Sequence, residues 1–128
     1  MDEIARILSV GRSDRAEGVA IPTDGEVAGA ETALRFRFPD SYREFLQLGG
    51  LSERRIHHSV LSPQEIVDAM KYLPDAEHIP FADNGCGDLY CWARVNEPEP
   101  VVLFADHESG QYKQDAVSFT VWLEKNRF

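Results

Sequence analysis

The sequence has few of the features that would cross-link a small fold or carry it across a membrane. Only two of its 128 residues are cysteines, Cys86 and Cys91, so a disulfide framework is excluded and a reducing compartment would keep both as thiols. No apolar run reaches the roughly 18 residues that span a bilayer. The amino terminus, MDEIARIL, starts with acids and lacks the basic start of a secretion signal. We therefore expect a cytoplasmic protein with no membrane partner.

Basic residues are also scarce. Lysine and arginine together number 13 against 22 acids, which gives a formal net charge of −9. Between Asp75 and Glu108 eight acids accompany one base, Arg94, so this segment alone carries −7. Such a segment would repel phosphates, which argues against nucleic acid as a partner. It would steer a basic protein toward the chain, although an acidic surface can also serve solubility alone.

The hydrophobic pattern predicts a single domain, residues 1–128, in which helices cluster early and strands later. Apolar residues at helical spacing, together with capping signals, predict helices over about 2–11, 24–38, 40–49, 62–73 and 116–125. The clearest of these signals is the capping box Ser62-Pro63-Gln64-Glu65. Short apolar runs predict strands over 57–61, 79–82, 89–94 and 101–104. This order is typical of an α+β domain with a mostly antiparallel sheet packed against helices.

The stretch FADNGCGDLYCW, Phe81–Trp92, is the first place to look for chemistry. A cysteine nucleophile needs a neighbouring base or a helix N-terminus, and Cys86 instead lies among aspartates and glycines. The glycines lie between predicted strands rather than before a helix, so they do not form a phosphate-binding loop. We interpret Gly85, Gly87 and Asp88 as turn-forming residues, with the aspartate capping backbone amides.

Metal binding by the same stretch has little support. Cys86 and Cys91 are five residues apart, outside the usual spacing of paired zinc ligands. Counted from Asp83, an EF-hand loop would need its glutamate at the position that Arg94 occupies. We therefore predict no metal and no cofactor.

Acids at the ends of the predicted strands leave one enzymatic alternative open. Asp83, Asp88, Asp106 and Glu108 could converge as paired carboxylates of a small hydrolase. Aspartates at turns are more often present for local hydrogen bonding, so we predict no catalytic residue.

Four blocks of the sequence, in this order, resemble the SMI1/KNR4 family of the SUKH superfamily. They are FPDSYREFLQLGG (Phe38–Gly50), IPFADNGCGDLYCW (Ile79–Trp92), PVVLFADHESG (Pro100–Gly110) and DAVSFTVWLEKN (Asp115–Asn126). The resemblance covers about residues 24–128 and implies an α+β fold with helices against a mostly antiparallel sheet. It also implies a role, since bacterial members are typically immunity proteins that neutralise a cognate toxin. Fungal relatives are regulatory interaction proteins.

The working hypothesis is a non-enzymatic immunity protein that occludes a basic toxin domain, such as a nuclease. The alternative is a regulatory scaffold or adaptor without a toxin partner. Exposed acids would accelerate encounter and an exposed aromatic side chain could anchor the complex. The predicted partner-binding residues are Asp83, Asp88, Glu97, Glu99, Asp106, Glu108 and Tyr112.

Overall fold

The computed structural model describes residue 4 and residues 21–52, 59–73, 76–95 and 97–126. The helix predicted over 2–11 lies outside these residues except for Ile4, which is helical and buried in the core. No helix in the described ranges has the length and apolar character needed to cross a membrane. Four α-helices are described: α1 (Asp24–Leu34), α2 (Asp40–Gln47), α3 (Pro63–Ala69) and α4 (Phe119–Lys125).

Within the described ranges, five strands form one antiparallel sheet in which neighbours along the chain are neighbours in space. The strands are β1 (Ser59–Val60), β2 (His78–Asp83), β3 (Leu89–Ala93), β4 (Val102–Ala105) and β5 (Tyr112–Ala116). Because each strand reverses direction, the loops 84–88 and 106–111 lie at the same end of the sheet. The connection 94–101 lies at the opposite end. The predicted α+β arrangement, with helices and an antiparallel sheet, is confirmed.

The core is built around the Trp92 side chain on the central strand. Its ring lies 4.4 Å from that of Phe81, 5.2 Å from Tyr42 and 5.9 Å from Phe119, measured between centroids. Trp92 and Phe119 are completely buried. Strand β3 is therefore fixed against both the neighbouring strand and the helices. Aromatic pairs of this kind contribute about 0.5–1.5 kcal/mol each beyond the burial of their area.

Local signals place the starts of α1 and α3 correctly. The predicted capping box is present, because Glu65 N donates to Ser62 Oγ over 3.2 Å and Ser62 N donates to Glu65 Oε1 over 2.8 Å. Thr23 and Glu26 form the same reciprocal pair at the start of α1. Each box satisfies amides that the first helical turn leaves without an intrahelical acceptor.

Several predicted boundaries differ from the structure. Helix α1 ends at Leu34 instead of continuing to residue 38, and the closing helix begins at Phe119, capped by Ser118, instead of at 116. Residues Tyr112–Ala116 form an edge strand that was not predicted. The sequence YKQDA has no apolar alternation, since an edge strand with its side chains largely in water needs none. Of the strand predicted over 57–61, residues 57–58 lie outside the described residues.

The close approach of Gly50 to Phe45 gives the first prediction. A Cβ atom at position 50 would overlap the buried Phe45 ring, so Gly50→Ala should lower the free energy of unfolding by about 1–3 kcal/mol. The matched control is Gly29→Ala in α1, where an added Cβ meets nothing within 4 Å and should stabilise the helix by up to about 1 kcal/mol. Urea unfolding of both variants measures the difference. Equal free energies of unfolding for the two variants would contradict the close contact between Gly50 and the Phe45 ring.

Candidate protein-binding surface

Five of the seven predicted partner-binding residues lie at one end of the sheet. Asp83 ends β2 and Asp88 precedes β3, while Asp106 and Glu108 follow β4 and Tyr112 begins β5. We call this surface the hairpin end: the loops 84–88 and 106–111 with Asp83 and Tyr112. The other two, Glu97 and Glu99, lie in the connection at the opposite end of the sheet. The seven residues therefore do not form one site.

The loop 84–88 is a hydrogen-bonded turn. Gly85 and Gly87 have φ angles of 78° and 97°, in the left-handed region that glycine adopts without a steric cost, so their predicted role is confirmed. Gly85 N donates to Asp83 Oδ1 over 3.0 Å. Asn84 Oδ1 accepts from Cys86 N and from Asp88 N. Asn84 therefore caps two amides of this loop, whereas Asp88, predicted to cap backbone amides, accepts from the His107 amide of the other loop.

Asp88 instead joins the two loops of the hairpin end. Its Oδ1 atom accepts from His107 N over 3.0 Å and lies 2.6 Å from His107 Nδ1, while Asn84 Nδ2 donates to Oδ2. Asp88 and His107, which are 19 positions apart in the sequence, thus form a charge-assisted pair that joins the two loops. Sequence reasoning missed His107, because no spacing or periodicity relates a loop histidine to an aspartate in another hairpin.

The pair shifts both of its pKa values in the direction that keeps it charged. The pKa of Asp88 falls to about 2, chiefly through the His107 backbone amide and then through the His107 ring and Asn84. The hydrogen bond to Asp88 raises the pKa of His107, against a smaller opposing effect of desolvation. The acids Glu108 and Asp106 also raise the pKa of His107. The hairpin end therefore carries a fixed carboxylate whose charge persists well into the acid range.

Asp106 organises the second loop in a similar way. Its carboxylate accepts from Glu108 N and from Ser109 Oγ, both over 3.0 Å, and these bonds lower its pKa. Glu108 itself is exposed. The second loop thus presents one fixed carboxylate and one that projects into solvent.

Ligand atoms of Asp88, Asp106 and His107 all lie within 4.8 Å of one another. These residue types can bind a transition metal ion. Here, however, Asp88 Oδ1 and His107 Nδ1 already share a hydrogen bond, which an ion bound at those atoms would displace. The hydrogen bonds to both aspartates account for their positions. The absence of a metal therefore stays a prediction.

A small apolar cavity of about 270 Å³ opens beside these loops. Its lining includes Tyr72, Leu73, Leu89, Ala105, Asp106 and Tyr112. Tyr72 is 71% exposed, and the Tyr112 ring is stacked on that of His78 at a centroid distance of 3.7 Å. The cavity is smaller than the roughly 300–1,000 Å³ of most small-molecule pockets, and its size suits a single protruding side chain.

The two remaining predicted residues differ in exposure. Glu99 is half-buried, and its carboxylate accepts from Ser41 N and Ser41 Oγ over 2.9 and 2.5 Å at the start of α2. Glu99 therefore ties the 94–101 connection to that helix. Glu97 is exposed. A role for either in partner binding stays a prediction.

The two cysteines differ in exposure. Cys91 is buried in β3, and Cys86 is exposed at the tip of the first loop.

The Asp88–His107 pair predicts a specific pH dependence. Pairing raises the folded pKa of His107 above its ordinary value of about 6.5 and depresses that of Asp88 below about 3.9. Its contribution to stability is therefore complete between about pH 4 and 6.5. That contribution is lost as pH rises through the folded pKa of His107, or falls toward 2. The His107 ring resonance followed by NMR should titrate above its ordinary midpoint.

The variant Asp88→Asn should return the His107 midpoint toward its ordinary value, because the charged acceptor is gone. Asp83→Asn is the matched control, since the Asp83 carboxylate accepts from Gly85 in the other loop and does not contact His107 in the described structure. The same midpoint in both variants would show that the pair does not form in solution.

Comparison with known proteins identifies the family. A search of curated proteins finds no match. The family model described as SMI1 / KNR4 family (SUKH-1) matches residues 21–125. The match includes all five strands and all four described helices, and agrees with the resemblance recognised in the sequence. The chain therefore belongs to the SMI1/KNR4 (SUKH-1) family.

Proposed function

We propose that this chain is a non-enzymatic immunity protein that acts in the cytoplasm, binding a toxin domain and covering its functional surface. The observation that carries the proposal is membership of the SMI1/KNR4 family over residues 21–125. Inhibition by occlusion depends on a slow dissociation rate and requires no bond to be made or broken in the partner.

The charge of the hairpin end supports a basic partner. Asp88 and Asp106 have lowered pKa values and stay ionised at neutral pH, and Glu108 is exposed beside them. A field from fixed and exposed carboxylates accelerates the encounter with a cationic surface. A nuclease domain is a suitable partner, because a protein that binds nucleic acid presents cations to phosphates.

The cavity beside the loops supports anchoring of the complex. Tyr72 and Tyr112 line it, and tyrosines are enriched among the residues that dominate binding energy at interfaces. A side chain that enters the cavity would leave water and approach the Asp106 carboxylate. The fixed loops would contribute affinity because little conformational entropy is lost on binding.

Co-expression tests the proposed class. The chain is produced together with the toxic domain encoded beside it, and cell survival is measured with and without the chain. Survival that depends on a direct complex of the two purified proteins would support immunity. Continued killing by every neighbouring toxin would contradict it. Affinity capture of a housekeeping complex in that case would favour the regulatory scaffold.

Charge reversal at the hairpin end should slow association with the neutralised toxin domain. We expect Glu108→Lys to reduce the association rate by about three- to tenfold at low salt, because a rim charge acts mainly on encounter. Asp68→Lys on α3 is the control, since it makes the same change of charge at another exposed position. Stopped-flow mixing measures both rates. Equal slowing would mean that net charge matters and the hairpin end does not.

A further inference from the structure

At the end of the sheet opposite the hairpin end, three arginines lie around one cavity. A cavity of about 620 Å³ is lined by Arg35, Arg37 and Arg94, together with Asp40 and Glu97. Seven lysines and arginines fall within the described residues, and three of them line this one cavity. In a chain of net charge −9, the cavity has one more cation than anion. We call it the arginine cavity.

Arg35 occupies a backbone position that normally belongs to glycine. Its φ of 53° makes it the one non-glycine residue with positive φ among those that the structure describes. Phe36 N donates to Glu31 O and Arg35 N donates to Thr32 O, which is the Schellman arrangement with Arg35 at C′. Glycine is the usual residue there because a Cβ atom is disfavoured at positive φ. Arginine at C′ is therefore locally disfavoured, and this residue lines the cavity.

Arg94, which lines the same cavity, is held by three hydrogen bonds to backbone carbonyls. Its Nε donates to Ala76 O over 2.7 Å, and Nη1 donates to Leu34 O and to Arg35 O at the end of α1. Within the described part of the chain, Nη2 has no acceptor. The guanidinium is thus bonded to backbone carbonyls through Nε and Nη1, and Nη2 can donate to one oxygen of a carboxylate.

The third cation and the two acids complete the charge pattern. Arg37 Nη2 lies 3.4 Å from Asp40 Oδ1, and both side chains are about 70% exposed, so this contact is weak. Phe36, Val95 and Pro98 add apolar wall. A ligand that brings its own carboxylate on a short apolar stem would meet Arg35 and Arg94 and could draw Arg37 away from Asp40.

We propose that the arginine cavity binds the carboxylate of a glutamate or aspartate side chain from a protein partner. The charge complementarity between the cavity and a carboxylate points to this occupant, and the proposal does not depend on the partner being a toxin. A free small carboxylate has the same chemistry and is distinguished by the test.

The probes are the peptides acetyl-Gly-Glu-Gly-amide and acetyl-Gly-Gln-Gly-amide, and free glutarate, each titrated into the folded chain at low salt. Saturable NMR shifts at Arg35, Val95 and the Arg94 side chain are expected with the glutamate peptide in the millimolar range, and not with the glutamine peptide. Equal response to both peptides, or no saturable response, would overturn the proposal. Stronger binding of glutarate than of the glutamate peptide would overturn the assignment to a protein side chain and indicate a free small carboxylate as the ligand.

Arg35→Gly separates binding from folding. Glycine relieves the positive-φ position, so the melting temperature should rise by about 2–6 °C. The same change should lower the affinity for the glutamate peptide by about tenfold or more, because a charge-assisted contact is lost. Lys113→Gln removes one charge outside the cavity and should leave peptide binding unchanged. If the Arg35→Gly variant is more stable and still binds the peptide with unchanged affinity, Arg35 does not take part in binding.

Discussion

The burial of Trp92 among aromatic rings fixes strand β3, and both candidate sites depend on that strand. Phe81 packs on Trp92 from the neighbouring strand, and Tyr42 and Phe119 pack on it from helices α2 and α4. Asp88 precedes β3 and Arg94 follows it, six residues apart, so their backbones are separated by roughly 20 Å at about 3.3 Å per residue. Trp92 thus packs into the core the strand that has Asp88 before its first residue and Arg94 after its last.

The features that sequence predicted correctly are those whose cause is local. The Ser62–Glu65 capping box and the positive-φ glycines of the first hairpin follow from a few adjacent residues. The missed features are polar contacts between distant segments, such as Asp88 with His107 and Arg94 with the end of α1, 60 residues away. Such contacts leave no periodic pattern, because they are created by the topology of the sheet. Strand β5 was missed for a related reason: as an edge strand it is stabilised by pairing with β4 rather than by an apolar face.

The acidic segment is evident from the sequence, but the separate roles of its acids depend on contacts that only the structure shows. Asp88, Asp106 and Glu99 accept hydrogen bonds from backbone amides and hold loops or a helix in place, whereas Glu108 and Glu97 are exposed. These two groups act differently in recognition. An ionised carboxylate contributes to the long-range field whether or not it is hydrogen-bonded, so both groups can steer a cation. Direct pairing with a partner falls mainly to exposed acids, since a buried or bonded carboxylate would have to exchange an existing contact.

An acidic hairpin end and an arginine-lined cavity at the other end of the sheet would orient a partner as well as attract it. A cationic patch alone would be drawn to the hairpin end in many orientations, since steering by a field is not very directional. A carboxylate on the same partner, placed to reach Arg35 and Arg94, would select one of these orientations. The reverse orientation would be disfavoured by like-charge contacts at both ends. The conformation of Arg35 fits this requirement. Glycine would make a more stable helix end, and arginine at that position is accounted for if its guanidinium is needed for recognition.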